Sequence, residues 1–340
     1  MPTSPTPPTA ATPPQSAPDH PPPREAPGRT CPLHYRYGPG VFRQPPPDAL
    51  ANLDVLYAVG GLYGHEAALH AVLRLFEAER GRKALVFNGD FHWFDADPAT
   101  FDRIQQAVLA HTALRGNVET ELANPHPASD AGCGCAYPDW VGDGVVERSN
   151  RILQRLWTAA TDAHRRQLAA LPMALTAQVG GLRVGVVHGD AESLAGWGFA
   201  QEHLRQPEHR VRVRAGLDAA GVDAFVSSHT CLPVFQRLGG QGGHRWVFNN
   251  GAAGMPNFRG DPAGLFTRLA TTPFDGPQRR GGVRHGPLWA DAIALPTDPV
   301  ADRAAFLRLW PPGSDAHTSY FDRIAHGPDY TPDQLIRLED

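Results

Sequence analysis

Ala84-Leu85-Val86-Phe87-Asn88-Gly89-Asp90 is a short apolar run that breaks at a glycine and presents a carboxylate at its end. The pattern recurs. Arg115-Gly116-Asn117-Val118-Glu119 closes a second such stretch with a carboxamide. Two later runs end on histidine: Val184-Gly185-Val186-Val187-His188-Gly189-Asp190 and Ala224-Phe225-Val226-Ser227-Ser228-His229. Continuous apolar runs bounded by turn residues read as buried strands, and layered α/β proteins gather their functional loops at strand carboxyl ends. Carboxylate, carboxamide and two imidazoles, each at a strand end, make a donor set for Mn, Fe or Zn.

Working outward, helical and extended periods alternate. Leu53 to Val59 is an apolar run closed by Gly60-Gly61. His65 to Arg80 places Ala68, Leu69, Val72, Leu73 and Phe76 at helical spacing and predicts a helix closed by Gly81. Phe101 to His111 predicts a second helix and Ala113 to Arg115 a third strand, a β-α-β-α-β order that predicts a layered α/β domain. Val145 to Leu171 reads as a broken helix. Gly180-Gly181 suits a primed hairpin turn whose second strand carries His188. Gln201 to Ala220 mixes helix and loop, and Gln236 to Phe248 predicts another hairpin. Beyond Pro262 the pattern weakens, and short helices wrapped on the domain are expected.

Residues 1–50 form a leader. Its first 30 are dominated by Pro, Ala, Thr and Ser, a composition expected to stay disordered, and the rest offers Tyr35, Tyr37 and Phe42 for docking. The domain is expected over 51–262, with a Pro-, Gly- and Cys-rich insertion at 124–144, and 263–340 as an extension packed on it. Of the 340 residues 41% are hydrophobic and 19% charged, and the net charge of −4 leaves no basic footprint for nucleic acid. No apolar run is long enough to span a membrane, and the start lacks a secretory signal. With four cysteines in so long a chain, a cytoplasmic protein with reduced thiols is expected. Neither a dinucleotide fingerprint nor a P-loop occurs. Oligomeric state has no signal.

In order and placement, Asp90, Asn117, His188 and His229 resemble the calcineurin-like metallophosphoesterase family, over roughly Leu53 to Phe258. The resemblance implies an α/β fold of two mixed β-sheets packed face to face and flanked by helices. It implies hydrolysis of a phosphomonoester or phosphodiester of a phosphorylated small molecule by metal-activated water. Asp90 falls on the carboxylate that two metals share in that family, and Asn117, His188 and His229 complete one of the two sites. Asp90, Asn117 and His188 are thereby the implied catalytic residues. Asn249 to Gly254 is similar to the family's closing turn.

The other site departs from the pattern. Gly61 and Tyr63 stand where the family has Asp and His, Cys231 replaces its last histidine, and Val118 replaces the histidine that often protonates the leaving group. Two readings follow. Either the position is abandoned, leaving one ion or a non-catalytic module that binds a metal or phosphorylated ligand, or it is rebuilt around Tyr63 and Cys231 for a second ion. Phenolate and thiolate both bind metal once it depresses their pKa. Against this, a tyrosine at a strand–helix junction is more often a packing residue, and Cys231 also reads as a small buried apolar one.

His92, Asp95 and the Cys133/Cys135 pair lie in segments such a fold brings near the cleft. Cys133-Gly134-Cys135 is too short for a usual zinc knuckle, and thiol chemistry through it and Cys231 is a further reading. Glu119 and Asp190 are candidate acceptors that orient ligands. Arg115 would bind phosphate or pair with a surface carboxylate, His65 reads as a loop histidine, and Cys31 as inert.

Overall fold

The apolar runs become strands because each has apolar residues to bury on both faces. The computed structural model describes residues 29, 32–124, 132–240 and 242–338. In chain order the first half contains β1 (Val55–Val59), α1 (Glu66–Ala78), β2 (Lys83–Asn88), α2 (Pro98–Leu109), β3 (Thr112–Leu114), α3 (Asn117–Ala123), α4 (Asp143–Trp157) and α5 (Asp162–Ala169). A hairpin of β4 (Ala174–Val179) and β5 (Leu182–Val187) follows, then α6 (Pro207–Ala220), β6 (Ala224–Ser227), β7 (Pro233–Leu238) and β8 (Arg245–Asn250). The chain ends with β9 (Gly264–Ala270), β10 (Arg279–His285), β11 (Leu288–Leu295), α7 (Pro299–Leu309), α8 (Asp315–His326) and β12 (Ile336–Arg337).

Among the described residues the strands form two mixed six-stranded sheets, ordered β10-β11-β9-β1-β2-β3 and β12-β7-β8-β6-β5-β4. Strand alternation sorts the core. Leu56, Ala58, Val86, Leu265 and Leu269 of the first sheet meet Val184, Val186, Val226, Phe235 and Phe248 of the second. The opposite face of the first sheet (Val55, Tyr57, Val59, Leu85, Phe87) packs on Leu69, Val72, Phe101 and Ile104 of α1 and α2. Val187, Phe225, Val234 and Val247 of the second sheet pack on Val213 and Leu217 of α6. The expected face-to-face packing with outer helices is the architecture.

The Gly180-Gly181 hairpin has both glycines at positive φ, 54° and 84°, as its tight turn requires, and the helix expected over Val145 to Leu171 does break, into α4 and α5. Of the residues expected to dock, Tyr35 and Phe42 are fully buried, and Phe42 meets Phe225 edge-on at 4.9 Å. The insertion has no helix or strand over 132–142. Residues 1–28, Cys31 and 125–131 lie outside the described residues.

Two readings are corrected. The segment after Pro262 opens with three strands before the expected short helices, α7 and α8, and β9 lies between β1 and β11, inside the sheet that the expected boundary at 262 would have closed. Its pattern was hidden because β9 and β11 bury charges, Arg268 and Asp291, and β10 is a polar edge strand. Helix α1 stops at Ala78, short of Gly81. Lys83 Nζ donates to the carbonyls of Phe76, Glu77 and Glu79 at 2.8–3.0 Å and caps the helix end that a glycine was expected to cap.

Candidate metal centre

β1, β2, β5 and β6 all end at one edge of the paired sheets, and α3 starts there. The loops are stitched together by backbone bonds: Gly61 N–H to Gly89 O (3.1 Å), Tyr63 N–H to Asp90 O (3.1 Å) and His229 N–H to His188 O (2.9 Å). The turn after β8 joins them, Ala253 N–H donating to Gly60 O. Among the described residues, five that are not glycine have positive φ; Tyr63 (53°), Asp90 (52°) and Cys231 (62°), three of those five, sit in these loops. Backbone held in the left-handed region costs free energy and clusters at functional sites.

The fold brings Asp90, Asn117, His188 and His229 together, all but closed to solvent. The ligand atoms of Asp90, His188 and His229 lie within 4.8 Å of one another. Hydrogen bonds fix where the protons are. His188 Nδ1 lies 3.1 Å from the Asn88 carbonyl, which only accepts, so that nitrogen carries the proton and Nε2 keeps a lone pair. His229 Nε2 lies 3.1 Å from the Cys135 carbonyl, so its Nδ1 keeps one too.

Asn117 Nδ2 donates to Cys133 O (2.9 Å) and Cys135 Sγ (3.2 Å), which turns Oδ1 the other way. Asp90 Oδ1 accepts the Val118 N–H at 3.1 Å, leaving Oδ2 inward. Around His188 Nε2 stand His229 Nδ1 at 3.0 Å, Asn117 Oδ1 at 3.1 Å and Asp90 Oδ2 at 3.3 Å.

Four acceptors thus face one another, with no proton among them while both rings are neutral. Buried acceptors without a donor are costly, and a cation relieves all four. Separations of 3.0–3.3 Å suit donors about 2.0–2.2 Å from a shared ion. The residues fit a metal. Burial and the neighbouring His188 push the His229 ring down to about 3. Burial opposes charge on His188, but the Asp90 carboxylate holds it above its ordinary range.

Glu119 supports this from behind. Its carboxylate accepts the N–H groups of Asp90 (2.8 Å), Phe91 (3.0 Å), His92 (3.2 Å) and Gly116 (2.8 Å), fixing the loop that carries Asp90 to the start of α3. Burial and Asp90 push its acid up to about 7, with His92 opposing.

At the altered position Tyr63 Oη lies 2.8 Å from Cys231 Sγ. A Cβ on Gly61 would meet the Tyr63 ring and hydroxyl at 3.0–3.1 Å, so the phenol fills the space in front of residue 61. Burial, with Cys231 and Asp90, raises the Tyr63 phenol well above its ordinary value, and burial raises the Cys231 thiol, Arg323 opposing. The two are a neutral, mutually bonded pair. Arg323 of α8, which the sequence did not single out, donates to Cys231 O at 2.7 Å.

Other candidates lie elsewhere. His92 is turned into the core, stacked 3.6 Å from Phe101, with Nδ1 on Asp95 (2.5 Å) and Nε2 on Gln105 (2.8 Å). Asp190 closes its own loop, accepting the N–H groups of Glu192, Ser193 and Gly198. Arg115 donates to the Ala169 carbonyl, and His65 caps α1 through the Ala68 N–H.

Cys133 and Cys135 do border the site, chiefly through their carbonyls. The bond with Cys133, then burial, raises the Cys135 thiol, the opposite of a reactive thiolate. Sequence reasoning passed over Trp197, whose Nε1–H shares the Cys135 carbonyl with His229. A tryptophan between two glycines, Gly196 and Gly198, was the available signal.

No family model matches this chain, and no curated protein does. Solved structures do. A metallophosphoesterase from Sphaerobacter thermophilus aligns over 81% of this chain and 100% of its own, with TM-score 0.52 and 15% identity. A hypothetical protein from Pyrococcus horikoshii OT3 aligns over 81% of this chain and 99% of its own, with TM-score 0.53 and 15% identity. At that identity the likeness is one of fold.

Proposed function

We propose that this chain, which has the calcineurin-like metallophosphoesterase fold, hydrolyses a phosphomonoester or phosphodiester of a small molecule with the help of a bound transition metal. The observation that carries the reading is the convergence of Asp90 Oδ2, Asn117 Oδ1, His188 Nε2 and His229 Nδ1 on one point, each of which offers a lone pair when both rings are neutral. Asp90, Asn117, His188 and His229 would hold the ion, Mn, Fe or Zn. When bound, such an ion neutralises phosphoryl oxygens and brings the pKa of water toward neutrality.

The chain's own groups do the positioning. The Asn88 and Cys135 carbonyls set the ring protons of His188 and His229, and the Val118 N–H and Glu119 fix the Asp90 carboxylate and its loop. Val118 has no proton to give, so the leaving oxygen takes its proton from solvent.

The Tyr63–Cys231 pair favours one ion over two, and with it the second reading, a metal-binding module without turnover. Metal analysis of purified protein, with hydrolysis of bis(p-nitrophenyl) phosphate and p-nitrophenyl phosphate across Mn, Fe, Co, Ni and Zn, separates them. About one ion per chain and a loss of roughly 100-fold or more in Asp90→Asn are expected. Unchanged hydrolysis in Asp90→Asn overturns the mechanism, and one ion with no turnover selects the binding module. Two ions, with a tyrosinate–iron absorption band lost in Tyr63→Phe, would select the rebuilt site.

A further inference from the structure

A row of aromatic rings leads from the metal centre to solvent. The Trp197 ring lies 5.6 Å from His229, tied down by its Nε1–H on the Cys135 carbonyl at 2.9 Å. Trp140, from the insertion, lies 6.2 Å farther on and is 57% exposed. Of the seven tryptophans, all within the described residues, Trp140 alone is exposed. Trp197 and His203 meet Trp140 at 86° and 81°, so neither is stacked parallel to it. His203 Nδ1 is committed to the Trp197 carbonyl at 2.8 Å, which makes its Nε2 an acceptor on the same rim.

We infer that Trp140 is a stacking platform for the base of a nucleoside phosphate whose phosphate meets the metal centre; this rests on reading that centre as a phosphate site. The spacing argues for a nucleoside. An aryl group bonded directly to the ester oxygen would reach Trp197 and stop there. A planar base set one pentose away reaches the second ring, and His203 Nε2 offers an acceptor for an exocyclic amino group such as adenine's. Stacking on a tryptophan tolerates any base, so Trp140 supplies affinity and His203 the preference.

AMP and ribose 5-phosphate differ only in the base. Both are titrated into Mn-loaded full-length protein, with phosphate release followed in parallel and KM taken in place of Kd where turnover occurs. AMP should bind about tenfold or more tightly than ribose 5-phosphate. Trp140→Ala should collapse that ratio, and Trp140→Phe should keep most of it. Equal affinities, or a preference that survives Trp140→Ala, overturn the platform and leave the phosphate site standing. A base preference without phosphate release upholds the platform and removes the phosphomonoesterase reading. If neither compound binds, the phosphate site falls and the platform with it.

Discussion

Gly89 has room for a hydrogen and nothing larger. Its φ is +96°, and a Cβ there would lie 2.6 Å from His188 Nδ1 and 2.8 Å from the Gly116 backbone. Gly116 is as tight, since a Cβ on it would stand 2.3 Å from Asp90 Oδ1. The glycines beside Asp90 and Asn117 therefore let three loops close on one another, and this is why the sequence shows them at strand ends. Gly89→Ala is expected to destabilise the protein by about 2–4 kcal/mol, from the disfavoured backbone and the overpacking together. A urea midpoint within error of the native protein's would show that the crowding is not real. Tyr63 had two readings in the sequence, packing residue or ligand. Only its position against Gly61 and Cys231 shows a phenol that fills space and shares its proton with a thiol.

The residue after α1 shows how an element boundary is set by a partner far along the chain. Glu79 leaves the helix and takes Arg268 of β9 through two bonds, Nε to Oε1 at 2.5 Å and Nη2 to Oε2 at 3.2 Å, with the Tyr57 hydroxyl at 2.8 Å. Burial opposes charge on Glu79, but the bonds from Arg268 and Tyr57 hold its carboxyl below the ordinary value of 4.5.

The sign follows from that depression. The pair's contribution is full above about pH 4.5 and is lost as pH falls through the lower, folded-state pKa, because the unfolded chain then binds more protons. Glu79→Gln leaves a buried guanidinium short of its main partner and should cost about 3 kcal/mol near neutrality. The difference from native protein should shrink in acid. A gap that is constant from pH 7 to pH 3 in denaturant titrations would show that the ion pair is not its source.

β9, β10 and β11 supply three of the six strands in the first sheet, and β9 pairs directly with β1. The loops after β1 and β2 that carry the candidate site rest on that sheet. A chain ending at Pro262 should therefore lack a cooperative unfolding transition and bind no metal tightly. Native near-UV circular dichroism from such a truncated chain would show that the last strands are an appendage. Inside the described residues no helix is long and apolar enough to cross a membrane.

Strand-end glycines and apolar runs are local features, and they were enough for the strands that lead to Asp90, His188 and His229; the two packed sheets and the grouping of these residues with Asn117 came from the resemblance. Charged residues inside β9 and β11 defeated the same reasoning, because a buried Arg268 or Asp291 reads as surface until its partner is known. His92 and Asp190 were legible as donors but not as groups already satisfied by Asp95, Gln105 and their own loop. The sequence by itself determined which atoms can bind a cation. Only the folded chain decided which of them keep a lone pair for it, because that depends on carbonyls of Asn88, Cys133 and Cys135, backbone groups that every residue has and no sequence pattern marks.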